Sequence, residues 1–122
     1  MKNINILLFA GFYGAAGLYH FINPGFYAPL IPDYLPFHEF INYFSGVAEV
    51  VLAVLVIFKP TRKIGAYLTI AMLICFIPSH VYFLQIGGCV EDGLCAPLWL
   101  GWVRLLVVHP LLILWAYITA KA

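Results

Sequence analysis

The stretch that decides the fold is INYFSGVAEVVLAVLVIF, residues 41–58. It is predominantly apolar, carries one charged side chain (Glu49), and is long enough to cross about 30 Å of hydrocarbon as a helix. Its apolar residues follow one another without the alternation that is typical of a half-buried strand. A helix also satisfies its own backbone hydrogen bonds inside a bilayer. The stretch therefore predicts a membrane-spanning α-helix.

Three further apolar stretches extend this prediction to roughly residues 4–22, 64–86 and 98–119. The chain of 122 residues is 65% hydrophobic and 9% charged, whereas soluble domains are roughly 45–50% apolar and about 25% charged. A small soluble domain leaves too much surface exposed to hide this excess, so the alternative of a soluble, buried-core protein is disfavoured. The first stretch lacks a small-residue cleavage site and is interpreted as a retained helix rather than a signal peptide. We predict an all-α membrane protein whose residues 1–122 form one four-helix bundle.

The connections between the helices predict the orientation. A Pro-rich, aromatic first loop (residues 23–40) and a third loop (87–97) contain no Lys or Arg, and a tight turn is expected at 59–63. With four spans, the basic residues at the termini and in that turn fall on one side: Lys2, Lys59, Arg62, Lys63 and Lys121. Because basic residues mark the cytoplasmic side, we predict a multi-pass protein of the plasma membrane with both termini inside. The net charge of +1 and the lack of a basic run give no reason to expect nucleic-acid binding.

The cysteines fit this topology. Cys89 and Cys95 lie in the third loop, which is predicted to face an oxidising compartment, and their spacing permits a disulfide. A bond that fastens the short loop is the simpler interpretation, and a catalytic dithiol or metal-binding pair is the alternative. Cys75 lies within the third helix and is interpreted as a packing residue.

Ionisable residues inside membrane segments are costly and usually face the bundle interior. The candidates are His20, Glu49, His80, Arg104 and His109. At about 1.5 Å rise per residue, the first four reach a similar depth in the outer half of the bundle, one from each helix. Stripes of small and polar residues around Gly17, Gly46 and Gly101 place them on inward faces. We therefore predict a polar pocket, with an ion pair between Glu49 and Arg104.

Each of these residues also has a structural interpretation. In that interpretation Glu49 and Arg104 form an ion pair that only stabilises the fold. His20 then extends its ring towards the membrane–water interface. His80 caps a kink after Pro78, and His109 satisfies local packing before Pro110. It is the cluster, rather than any single member, that favours a ligand-binding site at His20, Glu49, His80 and Arg104.

Short motifs are spread over most of the chain: His20-Phe21 with Pro24, Ile31-Pro32, Leu35-Pro36, Ser45-Gly46-Val47-Ala48-Glu49, Pro60-Thr61-Arg62, Pro78 with His80, and Trp102-Val103-Arg104-Leu105. Their order and spacing resemble the DoxX-like family of small bacterial four-helix membrane proteins. The resemblance implies the same fold and a link to redox chemistry, since the family name comes from a subunit of a thiosulfate:quinone oxidoreductase. It also extends towards proteins that bind sterol-like ligands in an intramembrane pocket.

Two functions are predicted from this combination. In the first, the chain is a membrane component of a redox system, in which Glu49, His80 and Arg104 bind the oxygens of a quinone and exchange protons, and a partner protein supplies the electrons. In the alternative, it is a non-redox binder of a sterol- or isoprenoid-like ligand, or a membrane scaffold or assembly factor. A metal site of His20, Glu49 and His80 is a weaker third hypothesis, and no metal ligand is assigned. Whether the chain is an enzyme stays open.

Overall fold

A computed structural model describes residues 2–27, 30–32, 34–89 and 95–122. Within these ranges the chain forms seven α-helices and one π-helical turn. Their bounds are α1 (Lys2–Ile22), α2 (Pro24–Tyr27), α3 (His38–Ile57), α4 (Lys59–Cys75), α5 (Ile77–Gln85), α6 (Leu98–Val103), the π-helical turn (Arg104–Val108) and α7 (His109–Ala120).

Four stretches are long and apolar enough to cross a membrane: Asn3–Ile22, His38–Ile57, Lys59–Gln85 and Leu98–Ala120. The all-helical class and the four apolar helices predicted from the sequence are therefore confirmed. Large apolar side chains cover the outside of the bundle; Leu7 is 66% exposed and Leu106 is 63% exposed. Such a surface is unusual for a soluble monomer and suits contact with lipid.

The larger buried core of the described residues lies at the end of the bundle that holds the termini. α1 packs against α3, α3 against α4, and α4 against α7. Asn5 and Trp115 link α1 to α7, since the indole Nε1–H donates to the Asn5 Oδ1 at 2.7 Å. The buried core at this end consists mainly of small and aromatic side chains: Ile6, Phe9, Ala10, Tyr13, Ala53, Val56, Ala66, Ala116 and Ala120.

The connection between α3 and α4 is shorter than predicted. Residues 59–63 were expected to form a turn, but α4 begins at Lys59, and Pro60 occupies its first turn, where a proline costs no hydrogen bond. The Thr61 hydroxyl donates to the carbonyl of Leu55 at 2.7 Å, and the Arg62 Nε donates to the carbonyl of Val56 at 2.9 Å. These side chains satisfy the last carbonyls of α3, so the reversal needs no longer loop.

The third and fourth apolar helices are both interrupted in the half of the bundle away from the termini. α4 ends at Cys75 and α5 begins at Ile77, because Pro78 has no N–H to continue the helical hydrogen bonds. In the fourth helix the N–H of His109 bonds to the carbonyl of Arg104, five residues earlier, which makes the π-helical turn. This wide turn directly precedes Pro110. In an ordinary α-helix the proline ring would clash with the carbonyl four residues earlier, and the wider turn relieves that clash. Both interruptions border the cavity described next.

Candidate functional site

A cavity of about 380 Å³ lies in the half of the bundle opposite the termini. Its volume falls within the usual range of small-molecule pockets, about 300–1,000 Å³. Residues from all four apolar helices line it, and Tyr27, Leu30 and Pro32 of the first loop contribute to the wall. Phe12, a lining residue, is 47% exposed, so the cavity reaches the outer surface of the bundle.

All four predicted pocket residues line this one cavity: His20, Glu49, His80 and Arg104. The ion pair predicted between Glu49 and Arg104 is wrong. Glu49 lies beside His20, with 3.4 Å between Oε2 and the imidazole Nε2, and Arg104 lies beside His80. The polar groups therefore form two separate pairs within the same cavity.

The first pair is held by Asn42, which lies two turns before Glu49 on the same face of α3. The Asn42 side-chain amide donates to the carbonyl of His20 at 3.1 Å, so its Oδ1 faces the His20 Nδ1 at 2.9 Å. That oxygen can only accept, and Nδ1 therefore carries the hydrogen. The remaining nitrogen, Nε2, faces the Glu49 carboxyl group. Any proton gained or lost by the His20 ring is exchanged at Nε2, next to Glu49.

Two glycines allow α1 and α3 to approach this closely. A Cβ on Gly17 would lie 2.7 Å from the carbonyl oxygen of Gly46, and a Cβ on Gly46 would lie 2.7 Å from the Cβ of His20. Real side chains do not tolerate such contacts, so both positions require glycine at this helix spacing. The stripes of small residues predicted to face inward meet at this crossing, which brings His20 next to Asn42.

Tyr27 closes the cavity over the first pair. Its ring stacks on the imidazole of His20, with 3.7 Å between centroids and 6° between planes. Its hydroxyl donates to the carbonyl of Ala16 at 3.3 Å. Burial, followed by the nearby Glu49 carboxylate, raises the pKa of Tyr27 to about 12, so the phenol stays protonated and remains a donor.

The second pair joins the π-helical turn to α5. The Nε–H of Arg104 donates to Nδ1 of His80 at 3.0 Å. Arginine has donors only, so Nδ1 accepts and His80 carries its hydrogen on Nε2. The guanidinium also lies 5.2 Å from the centroid of the Phe83 ring.

His109 has the structural role that the sequence allowed. Its Nε2 bonds at 2.6 Å to the carbonyl of Leu73, in the last turn of α4 just before the break at Phe76. Because a carbonyl oxygen can only accept, Nε2 carries the hydrogen. The ring also contacts the ring of His80, with 4.6 Å between centroids. His109 thus stabilises the helix break through its hydrogen bond and packs against the ring of His80.

Two buried polar atoms in the cavity wall form no hydrogen bond within the described residues: the Tyr13 hydroxyl oxygen and the Glu49 Oε2, which lies 3.4 Å from the His20 Nε2 without a hydrogen bond to it. Tyr13 is 2% exposed and Glu49 is 6% exposed. Leaving such groups unsatisfied costs about 1–3 kcal/mol each. Because both atoms lie at the cavity wall, a polar atom of a bound ligand can form the hydrogen bonds that they lack.

The cysteine predictions have different outcomes. A disulfide joins Cys89 and Cys95, whose Cα atoms lie 4.0 Å apart; residues 90–94 between them lie outside the described ranges. Cys75, expected to be a packing residue, is instead exposed and borders the cavity. In the described parts of the chain no three His, Cys, Asp or Glu side chains are arranged to hold a metal ion. The metal hypothesis for His20, Glu49 and His80 therefore has no geometric support.

The sequence reasoning missed several residues of the cavity wall. Tyr13, Tyr27 and Asn42 line the cavity, yet none of them was among the predicted site residues. Of the aromatic residues in the first loop, Phe26 lines the cavity, whereas Tyr34 and Phe37 do not line it and are 70% and 77% exposed. Spacing from His20 would have drawn attention to Tyr13 two turns earlier, but stacking by a loop residue leaves no signal in the sequence.

Comparison with known proteins adds a family without a function. A family model described as a domain of unknown function, DUF8561, matches residues 9–120, which include every cavity residue named above. No curated protein and no solved structure matches the chain. The resemblance to the DoxX-like family therefore stays a prediction.

Proposed function

This chain belongs to the DUF8561 family, and from that premise we propose that it binds a lipophilic molecule by its polar, oxygen-bearing head group inside a membrane. The observation that carries the proposal is that two buried atoms of the cavity wall, the Tyr13 hydroxyl oxygen and the Glu49 Oε2, form no hydrogen bond within the described residues. A ligand head group supplies the missing hydrogen bonds, and its apolar body occupies the rest of the largely apolar cavity.

The proposal includes the placement of the chain. Its four apolar helices cross a bacterial inner membrane, with the termini and the α3–α4 connection on the cytoplasmic side, where the basic residues are concentrated. The cavity then lies in the outer half of the bilayer, under the first loop. Because it reaches the exposed surface at Phe12, a ligand enters sideways from the lipid.

The two polar pairs offer different chemistry to the ligand. Arg104 presents donors only, and suits a carbonyl or an anionic oxygen. The His20–Glu49 pair accepts hydrogen bonds and exchanges protons, which suits a hydroxyl or a group that changes its protonation. A quinone satisfies both, and its use would make the chain the membrane component of a redox system supplied with electrons by a partner protein.

A non-redox carrier of a lipophile is the second candidate. It is favoured by Arg104, whose charge meets a neutral imidazole and an aromatic ring instead of a carboxylate among the described residues. A cation in this setting suits an oxygen-rich head group whether or not that group is reducible.

The test is mass spectrometry of the lipophilic molecules that co-purify with the protein in a mild detergent. His80→Ala and Arg104→Lys are expected to lower recovery several-fold, because alanine removes the partner of Arg104 and lysine lacks the guanidinium fork. Tyr34→Ala is the matched control, since that side chain is exposed and lies outside the cavity wall. Thermal unfolding of each variant establishes that the fold persists.

A quinone in the bound fraction favours the redox function, and a non-reducible lipophile favours the carrier. Equal lipid and quinone content in the parent, both cavity variants and the control would contradict the binding proposal. The polar pairs would then be structural.

A further inference from the structure

Among the described residues, no carboxylate lies beside the Arg104 guanidinium. Within the described ranges the Glu49 carboxyl group lies 3.4 Å from the His20 imidazole, and the half-buried Arg104 donates a hydrogen bond to the His80 imidazole. That imidazole accepts through Nδ1 and is therefore neutral. A guanidinium in apolar surroundings is stabilised most by an anion that can accept two parallel hydrogen bonds.

We infer that the head group bound in this cavity is an acid, whose anion pairs with Arg104 while the His20–Glu49 pair takes up one proton. The inference rests on the proposed binding function and narrows its non-redox form. It names the ligand class, an amphiphile with a carboxylate or phosphate head, and a linkage between binding and protonation.

The proton follows from the charges inside the apolar helices. When His20 carries a hydrogen on Nδ1 alone and Glu49 is a carboxylate, the charges of Glu49 and Arg104 sum to zero. An anionic head group adds one negative charge, which is costly in a medium of low dielectric constant. One proton gained between the Glu49 Oε2 and the His20 Nε2, which face each other at 3.4 Å, restores the balance.

The other titratable groups at this cavity are less suited to take up that proton. The Tyr27 phenol is already protonated and donates to a carbonyl. His109 and His80 each use one ring nitrogen in a hydrogen bond, and a proton added to His80 would put a second positive charge beside Arg104. The other titratable or charged groups that line this cavity are Tyr13, Tyr27, Cys75, His80, Arg104 and His109.

The experiment is isothermal titration calorimetry of the full chain in phosphatidylcholine nanodiscs, with empty nanodiscs as the blank. Dodecanoate and dodecan-1-ol are the probes, since they share an apolar chain and differ in the charge of the head group. Dodecanoate is expected to bind about tenfold more tightly, because a charge-assisted bidentate contact replaces a neutral hydrogen bond. Repeating the titration in buffers of different ionisation enthalpy counts the protons, with about one taken up per dodecanoate bound.

Two variants assign the effect to its residues. Arg104→Gln is expected to bring the dodecanoate-to-dodecanol affinity ratio close to one, and Lys63→Gln, which removes a positive charge at the other end of the bundle, is expected to keep the parent ratio. Glu49→Gln is expected to abolish the proton uptake. The parent comparison of the two probes needs no variant, so the inference stays testable if Arg104→Gln fails to fold.

The possible outcomes distinguish the inferred acidic head group and proton uptake from the proposed binding of a lipophilic molecule. Equal affinity for the acid and the alcohol overturns the acidic head group but leaves lipophile binding in place. Dodecanoate binding without proton uptake overturns the linkage, and binding of neither probe contradicts the proposed function itself. Nanodiscs that contain phosphatidylglycerol distinguish the source of the anion: weaker dodecanoate binding there assigns the site to a phospholipid phosphate, and unchanged binding to a free carboxylic acid.

Discussion

Replacing Gly46 by alanine tests the helix crossing on which the first polar pair depends. The new Cβ would lie 2.7 Å from the Cβ of His20 and 2.9 Å from the carbonyl oxygen of Gly17. Neither contact involves the flexible end of a long side chain, so α1 and α3 must separate. Separation also lengthens the two hydrogen bonds between His20 and Asn42, which measure 2.9 and 3.1 Å.

The magnitude follows from three effects. Overpacking at a helix contact costs about 1–3 kcal/mol. Weakening the two hydrogen bonds costs about 1 kcal/mol for each bond, and the better helix propensity of alanine returns about 1 kcal/mol. Gly46→Ala is therefore expected to lower the free energy of unfolding by about 2–4 kcal/mol.

Equilibrium unfolding in mixed dodecyl sulfate and dodecyl maltoside micelles, followed by circular dichroism, measures this change. Gly11→Ala on α1 is the matched control, since its Cβ would meet nothing within 4 Å. It is expected to be neutral or more stable by up to about 1 kcal/mol. If Gly46→Ala unfolds at the same detergent fraction as Gly11→Ala, the close crossing of α1 and α3 is not what holds the site.

Three further predictions address other parts of the chain. Alkylation of the native membrane without reductant is expected to leave Cys89 and Cys95 unlabelled, and their labelling under these conditions would count against the disulfide. His109→Leu is expected to destabilise the fold by about 1–3 kcal/mol, because the Leu73 carbonyl loses a buried donor; equilibrium unfolding measures it, and an unchanged midpoint would argue against this role. The raised pKa of Tyr27, about 12 against 10.0 for a free phenol, makes the folded state resist deprotonation. Its contribution to stability is therefore present below pH 10.0 and is lost as the pH rises towards about 12. Tyr27→Phe is expected to remove this alkaline loss, and a parental pH profile in that variant would refute it.

The sequence by itself determined the number and approximate extent of the apolar helices. Hydropathy and length are properties of each segment alone, so no knowledge of neighbours was needed. The same reasoning placed His20, Glu49, His80 and Arg104 at one depth, because the rise per residue converts position along a helix into height. Small residues at Gly17 and Gly46 also marked the faces that meet.

Only the tertiary structure decided which polar groups are partners. Depth does not specify rotation about the helix axis, and Glu49 faces His20 of the adjacent α1 instead of Arg104. The π-helical turn before Pro110 sets the rotation of Arg104, and the break at Phe76 sets that of His80; both depend on hydrogen bonds that hydropathy does not describe. The stacking of Tyr27 on His20 joins a loop to a helix, a contact that loop sequence cannot specify. The unpartnered atoms of the cavity follow from these rotations together, which is why the sequence predicted a polar cluster and the structure alone revealed how it is divided.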